Sequence, residues 1–80
     1  MPKLPQVSGS RLIKTLQSLG YGIIRQKGSH IRLRKITTSG EHAITVPKHK
    51  VVAKGTLSDI INKVSLYSNI SKEELIKKLK

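Results

Sequence analysis

Apolar residues recur at helical spacing near the start of this chain of 80 residues. Leucine or isoleucine stands at positions 12, 13, 16 and 19, so these side chains share one face of a helix. Ser8 is a good N-cap before this stripe, and Gly20 is placed to close the helix as its C′ residue. We therefore expect a first helix from about Ser8 to Leu19, preceded by an extended, proline-containing arm over residues 1–7.

Two further helices are predicted in the second half of the chain. The run from Thr56 to Asp59 has the form of a capping box, and apolar residues follow Leu57 at i+3, i+4 and i+7. This pattern predicts a helix that starts at Thr56 and reaches at least Val64. The run from Ser71 to Glu74 is another capping box, and it predicts a short tail helix within residues 70–80.

Between the first two helices, the pattern changes from helical spacing to the alternation typical of strands. Strands are expected at residues 21–26, 30–36 and 42–46, with turns at 27–29 and 37–41. The facing of the first strand is ambiguous, because Ile23 and Ile24 are adjacent. In the third strand, Ile44 and Val46 fall on the opposite face from Ala43 and Thr45, and Pro47 ends the strand.

This order of elements predicts a two-layer α+β fold in which helices cover the apolar face of a three-stranded antiparallel sheet. The other face of the sheet is expected to be open to solvent. The length of the chain predicts one domain over residues 1–80, with a thin core.

Charge is strongly unbalanced, because 16 Lys and Arg face four acidic residues and give a net charge of +12. Glu41 is the one acidic residue in the segment 25–54, where the basic residues are Arg25, Lys27, Arg32, Arg34, Lys35, Lys48, Lys50 and Lys54. Such a field attracts polyanions, so nucleic acid is the favoured partner. A basic surface that serves only solubility is the alternative.

Composition also excludes several other classes of protein. The chain has no cysteine, which removes disulfides and thiolate metal sites. No stretch approaches the roughly 20 apolar residues of a membrane span, and the first residues do not resemble a signal peptide. We therefore expect a soluble cytoplasmic protein.

The second strand carries the candidate chemistry. Alternation places His30, Arg32 and Arg34 on one side of the strand, and Ile31 and Leu33 on the other. An imidazole that moves protons near neutral pH would thus stand beside guanidinium groups that bind phosphate. The structural alternative is an ordinary surface histidine at the start of a strand.

The other residues favour acid–base chemistry over metal chemistry. The four acidic residues form no pair with metal-ligand spacing in the basic region, so no metal and no cofactor are expected. An imidazole can take the proton of an RNA 2′-OH, which then attacks the adjacent phosphate; DNA lacks this group, so RNA is the favoured substrate. If a second acid–base group is needed, His49 is the best candidate, although a solvated loop residue is the commoner role.

Several motifs together resemble the HicA (YcfA-like) toxin family. They are Leu19-Gly20-Tyr21, Arg25 to His30, Val46-Pro47-Lys48-His49 and Lys54 to Ile61. The resemblance extends from about Val7 to Val64, in order and at the spacing of the family. One departure is Ile31, which stands where the family often has a polar or aromatic residue and predicts altered substrate contacts.

The resemblance implies a fold like that of the double-stranded RNA-binding domain, α-β-β-β-α. It implies a metal-independent endoribonuclease that cleaves mRNA, with the histidine of the Gly-Ser-His motif, here His30, as the catalytic residue. The implied partner is a HicB-like antitoxin that covers the active site, so the chain is expected to be a monomer when free and a hetero-oligomer with the antitoxin.

The favoured function is therefore an RNA-cleaving toxin with His30 as its acid–base group. The residues expected to bind RNA are Lys27, Gly28, Ser29, Arg32, Arg34, Lys48, His49, Lys50 and Lys54. Two alternatives stay open at this point. One is a non-catalytic double-stranded RNA-binding module with the same fold, and the other is a structural protein associated with ribosomes.

Overall fold

Three helices lie on one face of a three-stranded antiparallel sheet in this computed structural model, which describes residues 4–80. The elements are α1 (Gly9–Ser18), β1 (Gly22–Lys27), β2 (His30–Thr37), β3 (Gly40–Pro47), α2 (Lys54–Ser68) and α3 (Lys72–Leu79). The α+β fold like that of the double-stranded RNA-binding domain is thereby confirmed, with one additional C-terminal helix. The first three residues of the expected arm lie outside the described residues.

Helix α1 begins and ends as the sequence predicts. The hydroxyl of Ser8 accepts a hydrogen bond from the amide of Arg11 at 3.1 Å, which satisfies one of the free amides of the first turn. At the other end, Gly20 has φ of +101°, and the amide of Tyr21 donates to the carbonyl of Leu16 at 3.0 Å. This is a Schellman motif, in which glycine adopts the left-handed conformation without steric cost.

Helix α2 begins two residues before the predicted start, so the capping box expected at Thr56 is wrong. The N-cap is Ala53, which has extended backbone and no side-chain cap, and its carbonyl accepts from the amide of Leu57 at 2.9 Å. The buried Val52 fixes the chain just before this point, because its amide donates to the carbonyl of Val7 at 2.8 Å. Asp59 instead forms an ion pair with Lys63 at 3.0 Å.

Helix α3 is capped by Ser71, whose hydroxyl accepts from the amide of Glu74 at 3.1 Å, so the second capping box is confirmed. The helix packs against α1 and α2. It buries Leu75, Ile76 and Leu79 in the same cluster as the side chains of the sheet. The predicted tail helix is therefore an integral part of the core.

The sheet has the order β1-β2-β3 and shows the expected alternation on β2. Ile31 and Leu33 are buried, whereas His30, Arg32 and Arg34 are exposed. Ile31 packs in the core, as the alternation predicts, so its side chain points away from the open face; its effect on substrate contacts stays a prediction. Both turns have two residues, since the strands are longer than predicted and β3 begins at Gly40.

Strand β1 contains a bulge at Ile24. The register pairs Ile23 with Leu33, Arg25 with Arg32, and Lys27 with His30. Successive side chains of a strand alternate between faces, so one extra residue reverses the facing of all that follow. The bulge therefore brings Arg25 and Lys27 to the open face of the sheet, which resolves the ambiguity left by two adjacent isoleucines.

Within residues 4–80, no helix is both long enough and apolar enough to cross a membrane.

Candidate active site

The open face of the sheet carries a group of positive charges around His30. Lys27 lies directly opposite His30 on β1, and Arg32 lies two positions further along β2 on the same face. Arg25 lies opposite Arg32 and adds a further guanidinium group. Residues directly opposite each other in an antiparallel pair have Cβ atoms about 5 Å apart, so Lys27 lies close to His30, and Arg25 and Arg32 form the next pair along the same face.

A cavity of about 350 Å³ opens beside His30. It is lined by His30, Thr45, Pro47, His49, Ala53 and Thr56. The guanidinium of Arg32 donates to the hydroxyl of Thr45 at 3.1 Å, which positions this cation next to the cavity. An anionic group in the cavity would therefore meet an imidazole, and a guanidinium whose position is set by a hydrogen bond would stand beside the cavity.

The segment from Pro47 to His49 is fixed from two sides. On one side, the amide of Lys48 donates to the carbonyl of Ser29 at 2.6 Å. On the other side, the amide of Gly9 donates to the carbonyl of His49 at 2.9 Å. The backbone that carries His49 is thus tied both to the hairpin turn beside His30 and to the first residue of α1.

Gly9 is required at this contact because the two backbones approach each other closely. A Cβ atom at this position would overlap the carbonyl oxygen of Pro47 and lie 2.7 Å from the Cα of Lys48. These are main-chain atoms, which have little freedom to move away. Gly9 therefore positions the loop that carries His49.

The Gly28-Ser29 turn contributes through its backbone. Gly28 has φ of +59° at the first of two turn positions, as a type II′ hairpin turn requires. Ser29 contributes the carbonyl that accepts from Lys48. The turn therefore sets the position of the start of β2 relative to the loop after β3.

The structure does not bring all the predicted RNA-binding residues together. Lys48 lines a groove with Gln26 and Ile31, on the helix-covered face of the sheet. Arg34 lies on the open face, but its guanidinium is 3.8 Å from the carboxylate of Glu41. Lys50 is exposed in the loop after β3, and Lys54, expected in that loop, is the first residue of α2.

The third histidine, His42, is buried on the opposite face and belongs to a different environment. Its Nδ1 lies 2.7 Å from the hydroxyl of Tyr21, and its ring stacks on Tyr67 with centroids 4.0 Å apart. Burial lowers the pKa of His42, and the positive charge of Lys63 lowers it further. Burial also raises the pKa of Tyr21, so its hydroxyl stays protonated beside the neutral imidazole.

Several residues of the site were missed from the sequence, among them Arg25, Thr45 and Gly9. Arg25 was counted as basic but was not assigned to the site, because its facing depends on the bulge at Ile24. Thr45 was placed on the correct face, but its bond to Arg32 depends on the strand register. Gly9 had one available signal, since a glycine in the first turn of a helix often marks close approach of another backbone.

The part of the chain that the structure describes contains no group of three His, Asp or Glu side chains that could hold a metal ion. The polar side chains at the cavity are an imidazole from β2, an imidazole from the loop after β3, and two threonine hydroxyls. Together with Arg32 and Lys27, they can transfer protons and stabilise a phosphate.

A family model described as HicA toxin of bacterial toxin-antitoxin matches residues 9–66. Neither the curated proteins nor the solved structures give a match. The matched segment begins at the first residue of α1 and ends within α2, so it contains the cavity and both of its histidines. The family model covers well over half of the chain and confirms the resemblance seen in the motifs, and the chain therefore belongs to the HicA family of toxins from bacterial toxin–antitoxin systems.

Proposed function

We propose that this toxin is a metal-independent endoribonuclease that cleaves mRNA, with His30 as a catalytic residue. The observation that carries the proposal is the position of His30 at the edge of the cavity, directly opposite Lys27 and beside the Arg32–Thr45 pair. This arrangement supports the proposal, because a proton acceptor and cations that can bind phosphate would lie near one phosphodiester.

In the proposed reaction, the imidazole of His30 takes the proton of a ribose 2′-OH. The 2′-oxygen then attacks the adjacent phosphorus, and negative charge grows on the non-bridging oxygens. Lys27 and Arg32 stabilise that charge, because charged donors are strongest where the transition state is most anionic. The products are a 2′,3′-cyclic phosphate and a free 5′-OH.

The remaining basic residues extend the proposed RNA-binding surface to different degrees. Arg25 and Lys54 are exposed and free to attract the backbone on either side of the scissile phosphate. Arg34 contributes less, because Glu41 offsets part of its charge. Lys48 contributes least, because it lines a groove on the other face of the sheet.

Membership of the HicA family implies a HicB-type antitoxin as the protein partner. The proposed inhibitory contact is coverage of the cavity beside His30, which would exclude RNA. With mRNA as the proposed substrate, the proposed site of action is the cytoplasm.

The test is cleavage of a single-stranded RNA by the purified chain in EDTA, beside His30→Ala and the control Gln26→Ala. Gln26 lies in the same hairpin but lines the groove on the opposite face. We expect His30→Ala to lose roughly 10²–10⁴-fold in cleavage rate, the usual contribution of a general acid–base group, and Gln26→Ala to lose little.

Full cleavage by His30→Ala would exclude the assigned role. If the wild-type chain binds RNA with a steep salt dependence but does not cleave it, the protein is a non-catalytic RNA-binding module instead.

A further inference from the structure

We propose that His49 is a second catalytic residue, which protonates the 5′-oxygen that leaves when RNA is cleaved. The inference rests on the proposed function and completes its proton transfers. The observation behind it is that His49 and His30 line the same cavity from two different elements, a strand and the loop that follows β3.

The reaction needs two proton-transfer groups in different places. In an in-line displacement, the attacking 2′-oxygen and the leaving 5′-oxygen lie on opposite sides of the phosphorus atom. One imidazole cannot contact both oxygens at the same moment. A base beside the 2′-oxygen therefore leaves the 5′-oxygen to depart as an alkoxide, unless a second group supplies a proton.

The backbone gives His49 the fixed position that this role requires. Its carbonyl is bonded to the amide of Gly9, and the preceding residue is bonded to the carbonyl of Ser29, which directly precedes His30. Loop residues with such contacts on both sides move little relative to the strand. The backbone position of His49 relative to His30 is therefore set by the fold and not by a free loop.

The other histidine of the chain is not available for this role. His42 is 7% exposed, its Nδ1 is engaged by Tyr21, and it lies on the face of the sheet covered by the helices. His49, by contrast, is exposed to solvent at the cavity. A substrate phosphate bound in this cavity would thus meet both imidazoles, with the Arg32–Thr45 pair beside it.

The proposed step balances in protons and bonds. His30 accepts the 2′-OH proton as the bond from the 2′-oxygen to phosphorus forms. The bond from phosphorus to the 5′-oxygen breaks, and protonated His49 donates its proton to that oxygen. Exchange with water afterwards removes the proton from His30 and returns one to His49, so no metal or other reactant is consumed.

The experiment compares two RNA substrates that differ only in the leaving atom. One is ordinary RNA, and the other has sulfur in place of the bridging 5′-oxygen at a single linkage. A thiol has a pKa of about 8.5, far below that of water or an alcohol hydroxyl, so a thiolate leaves without protonation. The variants are His49→Ala, His49→Gln and His30→Ala, with Val51→Ala as an exposed control in the same loop.

We expect both His49 variants to lose roughly 10²–10⁴-fold in cleavage of ordinary RNA and to recover to within about tenfold of wild type on the sulfur-containing RNA. His30→Ala should remain impaired on both substrates, because the 2′-OH must still lose its proton. Val51→Ala should cleave both substrates like the wild type. Circular dichroism of each variant checks that the fold is retained.

Two outcomes would overturn the role of His49 and leave the proposed function intact. One is unchanged cleavage of ordinary RNA by the His49 variants, and the other is an equal loss on both substrates, which would assign His49 to binding or positioning. A wild-type chain that cleaves neither substrate would overturn the proposed function itself, and this inference with it.

Discussion

Gly9 shows how one residue without a side chain can determine the geometry of the proposed catalytic site. It lies in the first turn of α1, yet its main effect is on the loop after β3, whose backbone it contacts directly. Helix propensity alone would favour alanine at this position. The close approach of Pro47 and Lys48 excludes alanine, so the tertiary contact overrides the local preference.

We expect Gly9→Ala to destabilise the protein by about 1–3 kcal/mol, the usual result of forcing atoms into a packed contact. Cleavage should fall as well, because the loop that carries His49 must shift. Urea unfolding and a cleavage assay measure the two effects. The matched control is Gly55→Ala, in the first turn of α2, where a Cβ atom would meet nothing within 4 Å.

Gly55→Ala should leave cleavage unchanged and raise stability by up to about 1 kcal/mol, since alanine restricts the unfolded chain more than glycine does. Equal stability of Gly9→Ala and the wild type would show that the loop after β3 shifts without a loss of stability. Gly9 would then not set the position of that loop.

Residue-level prediction from the sequence was accurate where the cause was local and failed where it was not. The facing of His30 and Arg32 follows from alternation within one strand, and the structure agrees. The facing of Arg25 depends on a bulge, which the sequence indicates only by an ambiguous pair of isoleucines. The Arg32–Thr45 bond joins two strands and becomes visible only when the register is known.

Among the elements, α3 is the one whose importance the sequence understated. Its cap was predicted correctly, because the capping box is a local signal. Its burial was not predicted, because the sequence pattern does not show which other elements this helix packs against. The family match ends at residue 66, before α3 begins, and yet Leu75 is 1% exposed within the common core. In this chain, the core therefore extends beyond the segment that defines the family.

We expect Leu75→Ala to lower the free energy of unfolding by about 2–5 kcal/mol, through lost burial and a residual cavity. A domain of this size has a total of roughly 4–12 kcal/mol, so the variant would be close to unfolding at 37 °C. Thermal unfolding followed by circular dichroism measures the effect. Lys78→Ala is the control, because Lys78 is exposed on the same helix. A Leu75→Ala variant as stable as that control would show that α3 is dispensable.

The start of α2 illustrates why helix boundaries were harder to predict than the helices themselves. Thr56 and Asp59 match a capping box in sequence, but the chain is already helical at Lys54. The buried Val52 and its bond to Val7 determine where the chain can turn into the helix. That anchor joins two distant segments, so the local pattern was overridden by tertiary structure.

At the scale of the whole molecule, positive charge dominates, and little of it is offset. The described residues contain ion pairs at Arg34–Glu41 and Lys63–Asp59, both exposed, against a net charge of +12 for the chain. Surface pairs of this kind contribute little to stability. The field that remains favours fast association with polyanions and predicts an acidic surface on the antitoxin where the two proteins meet.

The stability of the whole molecule should depend on pH through His42. Its pKa is below the ordinary 6.5 in the folded protein, because of burial and the charge of Lys63. Below about pH 6.5, the unfolded chain therefore binds more protons than the folded chain. Above that pH, the contribution of His42 to the free energy of unfolding is constant. It falls as pH decreases, by at most about 1.4 kcal/mol per pH unit for this one group.

Urea unfolding between pH 5 and pH 8 tests this dependence, with His42→Gln as the comparison. The variant should have a flatter profile, because it lacks the group that titrates. A profile that is equally steep in both proteins would assign the pH dependence to other residues.

The bulge in β1 has a consequence for self-association. This strand is an outer edge of the sheet, and Ile23 and Ile24 on it are about half exposed. Edges of this kind are templates on which a second chain can add a strand. The extra residue at Ile24 breaks the regular spacing of free amides and carbonyls, and Arg25 and Lys27 would face the same charges on an incoming copy. The irregularity that brings Arg25 and Lys27 to the open face thus also disfavours aggregation along this edge.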